Sequence, residues 1–303
     1  MLADGPVVIA LDGSLHSDQT LRWGVAEATM REAPVLLTRV YREPRELVEW
    51  SWYPLLGTDL GLDSEVERYL ADQFDRVSAR NPHLTVETRV LSGSEVPAIR
   101  QLSERAQLLV IGARGHASRL RIGSISGHLA AHARCPVAVV RGEDHDARLP
   151  GAPVVVGIDG SPASIAAADA AAVEAMMRGV ALVVVHARPT IATPNGRGMP
   201  ALPPLAASRV DKNDPTHKVA ADMTALLRAR HPNLDVRLDL VDDDPVHALI
   251  GASRGAQLLV VGSRGFGAFR GMLLGAVSNE VVRDALPTVL VLHGAELDRE
   301  ITA

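Results

Sequence analysis

The sequence predicts an α/β protein of two tandem domains, each a doubly wound, five-stranded parallel sheet. Three observations predict it. First, the chain repeats itself: Val7-Val8-Ile9-Ala10-Leu11-Asp12-Gly13-Ser14 returns as Val154-Val155-Val156-Gly157-Ile158-Asp159-Gly160-Ser161, and Ala106 to Gly115 returns as Ala256 to Gly265 with eight of ten positions identical. Second, continuous apolar runs bounded by Gly, Pro or Asp alternate with segments of helical period, which is the sign of a parallel sheet covered on both faces. Third, 303 residues suffice for two domains of roughly 150, each able to bury about two-thirds of the surface its unfolded chain exposes.

The strands of the first copy are expected near 6–11, 34–40, 84–91, 107–112 and 136–141, and those of the second near 153–158, 180–186, 234–241, 257–262 and 287–293. Helices are expected between them, near 17–32, 63–80, 95–105 and 124–134, then 162–178, 215–230, 245–254 and 276–285. The first domain spans 1–142, a polar linker ending Pro150-Gly151 covers 143–152, and the second domain spans 153–303. Right-handed crossovers with helices on both faces favour the strand order 3-2-1-4-5. In that order the first and fourth strands are neighbours, and the crevice where the winding reverses lies at their carboxyl ends. Both repeated motifs sit there.

Composition narrows the partners. The apolar runs are far shorter than the ~20 residues a membrane helix needs, and no basic stretch or apolar core precedes the first strand, so no secretory signal is expected. Cys135 is the only cysteine, which fits a reducing compartment and a cytoplasmic location. A net charge of -5 with interspersed signs gives no footprint for nucleic acid or an anionic membrane. Small molecules and other proteins are the expected partners.

The chemistry lies in two motifs per copy. In the second copy Gly262-Ser263-Arg264-Gly265 is followed by nine residues and then by Gly275-Ala276-Val277-Ser278 at a helix start. Glycines admit close approach of an anion and positive φ, and a helix start attracts phosphate through its free N–H groups and dipole. The alternative is a simple turn and helix cap. In the first copy only seven residues separate Gly112-Ala113-Arg114-Gly115 from Gly123-Ser124-Ile125-Ser126. The first copy keeps a hydroxyl directly after its last glycine, whereas the second has Ala276 there, leaving Ser278 as the nearest side-chain donor. Asp12 and Asp159 end the first strands, where a carboxylate suits a ribose or a phosphate-bound magnesium ion, or else merely forms a turn beside Ser14 or Ser161. Arg114 and Arg264 suit phosphate oxygens or open solvent.

These residues resemble the universal stress protein family. The resemblance rests on the pattern Gly-x-x-Gly, nine residues, Gly-Ser/Thr after strand four, from which the first copy departs in spacing and the second at Ala276, on Asp-Gly-Ser after strand one, and on the last strand beginning Cys135-Pro136-Val137-Ala138-Val139-Val140. It covers nearly the whole chain, once per copy, and implies a tandem member with Rossmann-like, adenine nucleotide alpha hydrolase-like domains. It further implies a stress-response regulator that binds ATP, with Mg2+ held through the phosphates, rather than a committed enzyme. Nucleotide occupancy would alter binding to an unidentified protein partner, and the last strands would pair with each other or across a homodimer. Carried over by position, the adenine contacts fall on Val40 and Ala187, and the strand-one contacts on Leu11, Asp12, Ile158 and Asp159. The phosphate contacts fall on Gly112, Arg114, Gly115, Gly123, Ser124, Ile125 and Ser126 in the first copy. In the second they fall on Gly262, Arg264, Gly265, Gly275, Ala276, Val277 and Ser278. Backbone donors survive the change to Ala276 whereas a loop length is fixed, so the second site is expected to hold ATP at least as well as the first.

Other signals compete. A slow ATPase or phosphotransferase on the same sites would need a positioned base; His116 is the only candidate in a phosphate loop, and Phe266 replaces it in the second copy. A structural adaptor without nucleotide is the other rival. Gly265-x-Gly267-x3-Gly271 resembles a dinucleotide fingerprint but follows the fourth strand, and the first copy lacks it. His128, His132 and Cys135 are spaced i, i+4, i+7, compatible with a metal; the second copy has Glu280 and Asp284 at the matching places and no cysteine, which favours plain helix-face residues. Trp50, Trp52 and Tyr53 crowd one segment of a chain that is 3% aromatic, as a lid, a partner patch or a local cluster. The segment from Arg188 to Pro215, rich in Pro and Gly, reads as disordered.

Overall fold

A computed structural model describes residues 5–14, 16–41, 62–113, 123–141, 151–188, 215–265 and 274–294. The chain divides into two units, one comprising Met1–His145 with Thr288–His293 and the other Asp146–Pro287 with Gly294–Ala303. The described part of the first unit holds β1 (Val7–Ala10), α1 (Ser17–Met30), β2 (Val35–Tyr41), α2 (Leu62–Arg80), β3 (Val86–Ser92), α3 (Glu95–Ser103), β4 (Leu108–Gly112), α4 (Ser124–His132) and β5 (Val137–Val140). The second holds β6 (Val154–Gly157), α5 (Pro162–Arg178), β7 (Leu182–Ala187), α6 (Pro215–Arg230), β8 (Val236–Val241), α7 (Pro245–Ser253), β9 (Leu258–Gly262) and α8 (Ala276–Asp284). The last strand, β10 (Thr288–Leu292), groups with the first unit.

In the first unit the strands run β3-β2-β1-β4-β5 as expected, all parallel. β10 then adds antiparallel to β5, pairing Val289 with Val139 and Val291 with Val137. The second unit repeats the order as β8-β7-β6-β9, also parallel. An apolar last strand carries unpaired backbone groups on its edge, and here the edge of β5 is satisfied by β10 of the same chain.

The central strands are apolar on both faces because helices cover both. Val7, Val8 and Ile9 of β1 and Val154, Val155 and Val156 of β6 are all buried, as are Leu108 to Ile111 and Leu258 to Val261. Helix ends follow local chemistry. α5 starts where the Ser161 hydroxyl accepts from the Ser164 N–H, with Pro162 in the first turn, and stops at Gly179 in the left-handed region at φ 63°. α1 stops at Met30, two residues before the expected end, because Glu32 takes φ 52° and Pro34 follows. α4 likewise stops at His132, where Ala133 turns extended ahead of Pro136.

Among the described residues, each unit also buries an ion pair at the matching place. Glu27 and Arg31 of α1 lie 2.8 Å apart with side chains 1% and 5% exposed, and Glu174 pairs with Arg178 on α5. Both pairs are spaced i, i+4 with the acid first, the favourable orientation along a helix.

Candidate functional site

In the second unit the ends of β6 and β9 are neighbours in the sheet, and the predicted residues meet there. Asp159 follows β6, and its Oδ1 accepts from the Ser161 N–H at 2.9 Å, closing a turn around Gly160, which stands at φ 88°. The turn is thus real, but the carboxylate has a second oxygen. Oδ2 lies against Gly265, close enough that a Cβ on Gly265 would fall inside contact distance of it. The Ser161 hydroxyl donates to the carbonyl oxygen of Arg264 at 3.2 Å, tying the Asp-Gly-Ser turn to the loop after β9. The Ser164 hydroxyl accepts from the N–H groups of Asp159 and Gly160 at 3.3 and 3.1 Å. Sequence patterns and physical contacts therefore agree that the two motifs form one cluster.

The loop re-enters the fold at Gly275, whose N–H donates to the Ser263 carbonyl at 2.7 Å. Gly275 is the N-cap of α8 and supplies no side-chain cap. The first bond within the helix is Asn279 N–H to Gly275 O, so the N–H groups of Ala276, Val277 and Ser278 precede the helical ladder. The positive φ expected of the loop glycines is not what these positions use: φ is -64° at Gly275 and -74° at Gly123. A Cβ on Gly275 would rest 3.6 Å from the Gly265 N and the Arg264 Cα, so a longer side chain there would crowd that peptide.

One expectation about a hydroxyl changes. Ser278 donates its proton to the carbonyl of Gly262 at 2.6 Å, and Ser126 donates to Gly112 at 2.6 Å. Both side chains pin the helix start to the end of the fourth strand, so what Ser126 and Ser278 can offer an anion is their backbone N–H. Gly262 fits beneath the start of α5, where a Cβ would meet the backbone of Ala163 at 2.8 Å.

The first unit repeats the frame. Asp12 Oδ1 accepts from the Ser14 N–H at 2.9 Å and the Ser17 hydroxyl at 2.8 Å, and the Gly123 N–H donates to Ala113 O at 2.8 Å. Ser124 and Ile125 stand exposed on the first turn of α4. Arg114 and Gly115 lie outside the described residues, as do His116, Gly267, Gly271, Phe266, the aromatic segment with Trp50, Trp52 and Tyr53, and 189–214. Leu11 and Ile158 are buried at the ends of β1 and β6, their N–H groups donating to Thr38 O and Val185 O. Val40 and Ala187 occupy the carboxyl ends of β2 and β7 and are partly exposed. Every described site residue therefore lies at the carboxyl end of a strand or in the first turn of the helix that follows.

The sequence profile of the Universal stress protein family matches residues 5–141 and again 152–293. The chain belongs to the universal stress protein family. Among its relatives is a universal stress protein of Mycolicibacterium smegmatis, 34% identical over 95% of this chain and 96% of that protein. Universal stress protein Rv2005c of Mycobacterium tuberculosis is 36% identical over 94% of this chain and 96% of its own length. The crystal structure of a universal stress protein from Archaeoglobus fulgidus shares the fold, with a TM-score of 0.68 and 18% identity over 96% of this chain and 98% of that one.

Within this universal stress protein, two neighbouring residues of the candidate site were not singled out as contacts by sequence. Ser263, 1% exposed, carries a hydroxyl with no hydrogen-bond partner among the described residues. Ser161 bridges the two motifs, a role its position in the Asp-Gly-Ser repeat only hints at. The spacing of His128, His132 and Cys135 resolves as helix-face residues plus a core cysteine. Cys135 falls beyond the end of α4, is 5% exposed, and burial pushes its thiol up to about 12, against weaker backbone hydrogen bonds that lower it. Among the described residues, no group of three or more His, Cys, Asp or Glu is placed to hold a metal, and no helix is long and apolar enough to cross a membrane.

Proposed function

We propose that this chain is an ATP-binding regulator of the stress response, with nucleotide occupancy altering its binding to a protein partner. The observation that carries the reading is the convergence of Asp159, Ser161 and Gly265 at the ends of β6 and β9, where an open α/β sheet reverses its winding and binds ligands. The residues present fit the nucleotide. Gly265 leaves clear the space a Cβ would take beside Asp159, the start of α8 lacks a capping side chain, and the buried Ser263 hydroxyl has no described partner. The N–H groups of Gly265, Ala276, Val277 and Ser278, with the Arg264 guanidinium, would hold the phosphates, since aligned donors at a helix start attract an anion. Asp159 would face the ribose or the phosphate-bound Mg2+, which supplies neutralising charge. Ala187 and Ile158 would border the adenine. The first unit would use Asp12, Val40, Gly112 and the Gly123 to Ser126 turn in the same way, with Arg114 and Gly115.

In this proposal the protein is a cytoplasmic binder rather than an enzyme, with no nucleic-acid or membrane partner. Pairing of last strands is met within one chain by β5 and β10, so the proposed homodimer joins through surfaces other than the edge of β5 that β10 occupies. Mass spectrometry of the small molecules released from freshly purified, undialysed protein tests the reading. Adenosine nucleotide recovered near stoichiometric amounts is the expected result, and recovery of a different ligand class would replace it.

A further inference from the structure

Two histidine pairs lie outside the proposed nucleotide contacts, and their geometries differ. His128 and His132 of α4 have stacked rings, centroids 3.9 Å apart and planes 7° from parallel. An imidazole binds an ion through a nitrogen lone pair in the plane of its ring, so two parallel rings in that arrangement do not converge on one ion. His186 of β7 and His217 of α6 are perpendicular, at 88°, with centroids 5.5 Å apart. Two imidazoles bound to one tetrahedral ion at Zn–N distances of ~2.0–2.1 Å place their centroids about 5 Å apart. The spacing of the second pair is close to that value.

Hydrogen bonding points the same way. His186 Nδ1 lies 2.8 Å from the carbonyl oxygen of Ile158. A carbonyl only accepts, so Nδ1 carries the proton and the neutral ring keeps its lone pair on Nε2. Metal-binding histidines characteristically make this outer bond, which fixes the tautomer and orients the ring. His217 is 1% exposed, and its Nδ1 has no hydrogen-bond partner among the described residues. A buried nitrogen in that state calls for a partner. His186 is only half-buried, so an ion has a way in. At the place of His186 the first unit has Arg39, whose guanidinium stacks 4.8 Å over the Tyr69 ring and offers no lone pair.

The geometry points to a site for one divalent transition-metal ion of borderline softness, such as Zn2+, held by His186 and His217 in the second unit only. Water or an anion fills the remaining positions. The test uses the full-length, tag-free protein without nucleotide, titrated with Zn2+ by calorimetry and with Co2+ by its visible absorption. About one ion per chain at micromolar affinity is expected. His186→Ala and His217→Ala should each weaken binding by more than about tenfold, while the double variant His128→Ala/His132→Ala should not. His186 is the more exposed of the two, so its variant decides the matter if the His217 variant does not fold. Absence of uptake, uptake that His186→Ala leaves unchanged, or uptake lost with His128 and His132 would each overturn the assignment.

Discussion

Replacing Gly265 with valine is expected to lower ATP affinity at the second site by about a hundredfold while leaving the circular dichroism spectrum unchanged. The Cβ alone would fall inside contact distance of Asp159 Oδ2, and the branched side chain would extend into the space assigned to phosphate. Hydrogen bonds to a charged group contribute about 1.5–3 kcal/mol each, and about 1.4 kcal/mol is tenfold in affinity, so displacing one or two such contacts gives an effect of this size. The fold should hold because Gly265 is exposed and lies after β9 has ended. Gly275→Ala is the graded control: its Cβ would make only ordinary contacts at 3.6 Å, so affinity should fall far less. Unchanged affinity in the Gly265 variant would remove this loop from the site.

Glu174→Ala is expected to destabilise the protein by about 3–5 kcal/mol, the usual cost of removing one partner from a buried ion pair. The Glu174 and Arg178 side chains are 2% and 8% exposed, so the arginine would lose its carboxylate in a place water barely reaches. Helix propensity works in the opposite direction, since alanine is the best helix former. The loss therefore isolates the electrostatic term. Thermal or urea unfolding of Glu174→Ala beside Glu174→Ala/Arg178→Leu measures it, and the double variant should recover much of the stability because it removes the buried guanidinium as well. A single variant within about 0.5 kcal/mol of the parent, the range of ordinary surface changes, would show that the pair is solvated.

Much of this fold is legible in the sequence because its signals are local and redundant. The expected helix over 162–178 matches Pro162–Arg178, since a serine cap, a first-turn proline and a terminal glycine mark both ends. The expected strands at 107–112 and 257–262 match Leu108–Gly112 and Leu258–Gly262, since buried parallel strands read as unbroken apolar runs. The pairing of β10 with β5 was expected from the family resemblance rather than from local pattern. An apolar run states that a strand is buried, but not which neighbour's backbone it bonds.

In the site, motif spacing brought Asp159 and Gly265 into view, yet it offered Ser278 as the nearest side-chain donor to phosphate. Hydroxyl direction depends on rotamer, and those of Ser126 and Ser278 both turn inward to the strand-end carbonyls. Positive φ was expected of loop glycines, whereas Gly123 and Gly275 adopt ordinary values. His186 and His217 gave no sequence signal because they come from different elements on either side of a long connection.

Calorimetric titration of the purified full-length protein with MgATP, for the parent, Asp12→Ala and Asp159→Ala, tests the central claim most directly. The account predicts saturable binding in the parent that Asp159→Ala weakens severely and Asp12→Ala leaves in place at the second site. Binding that neither substitution changes would contradict it, because ATP would then lie away from the carboxyl ends of β1 and β6.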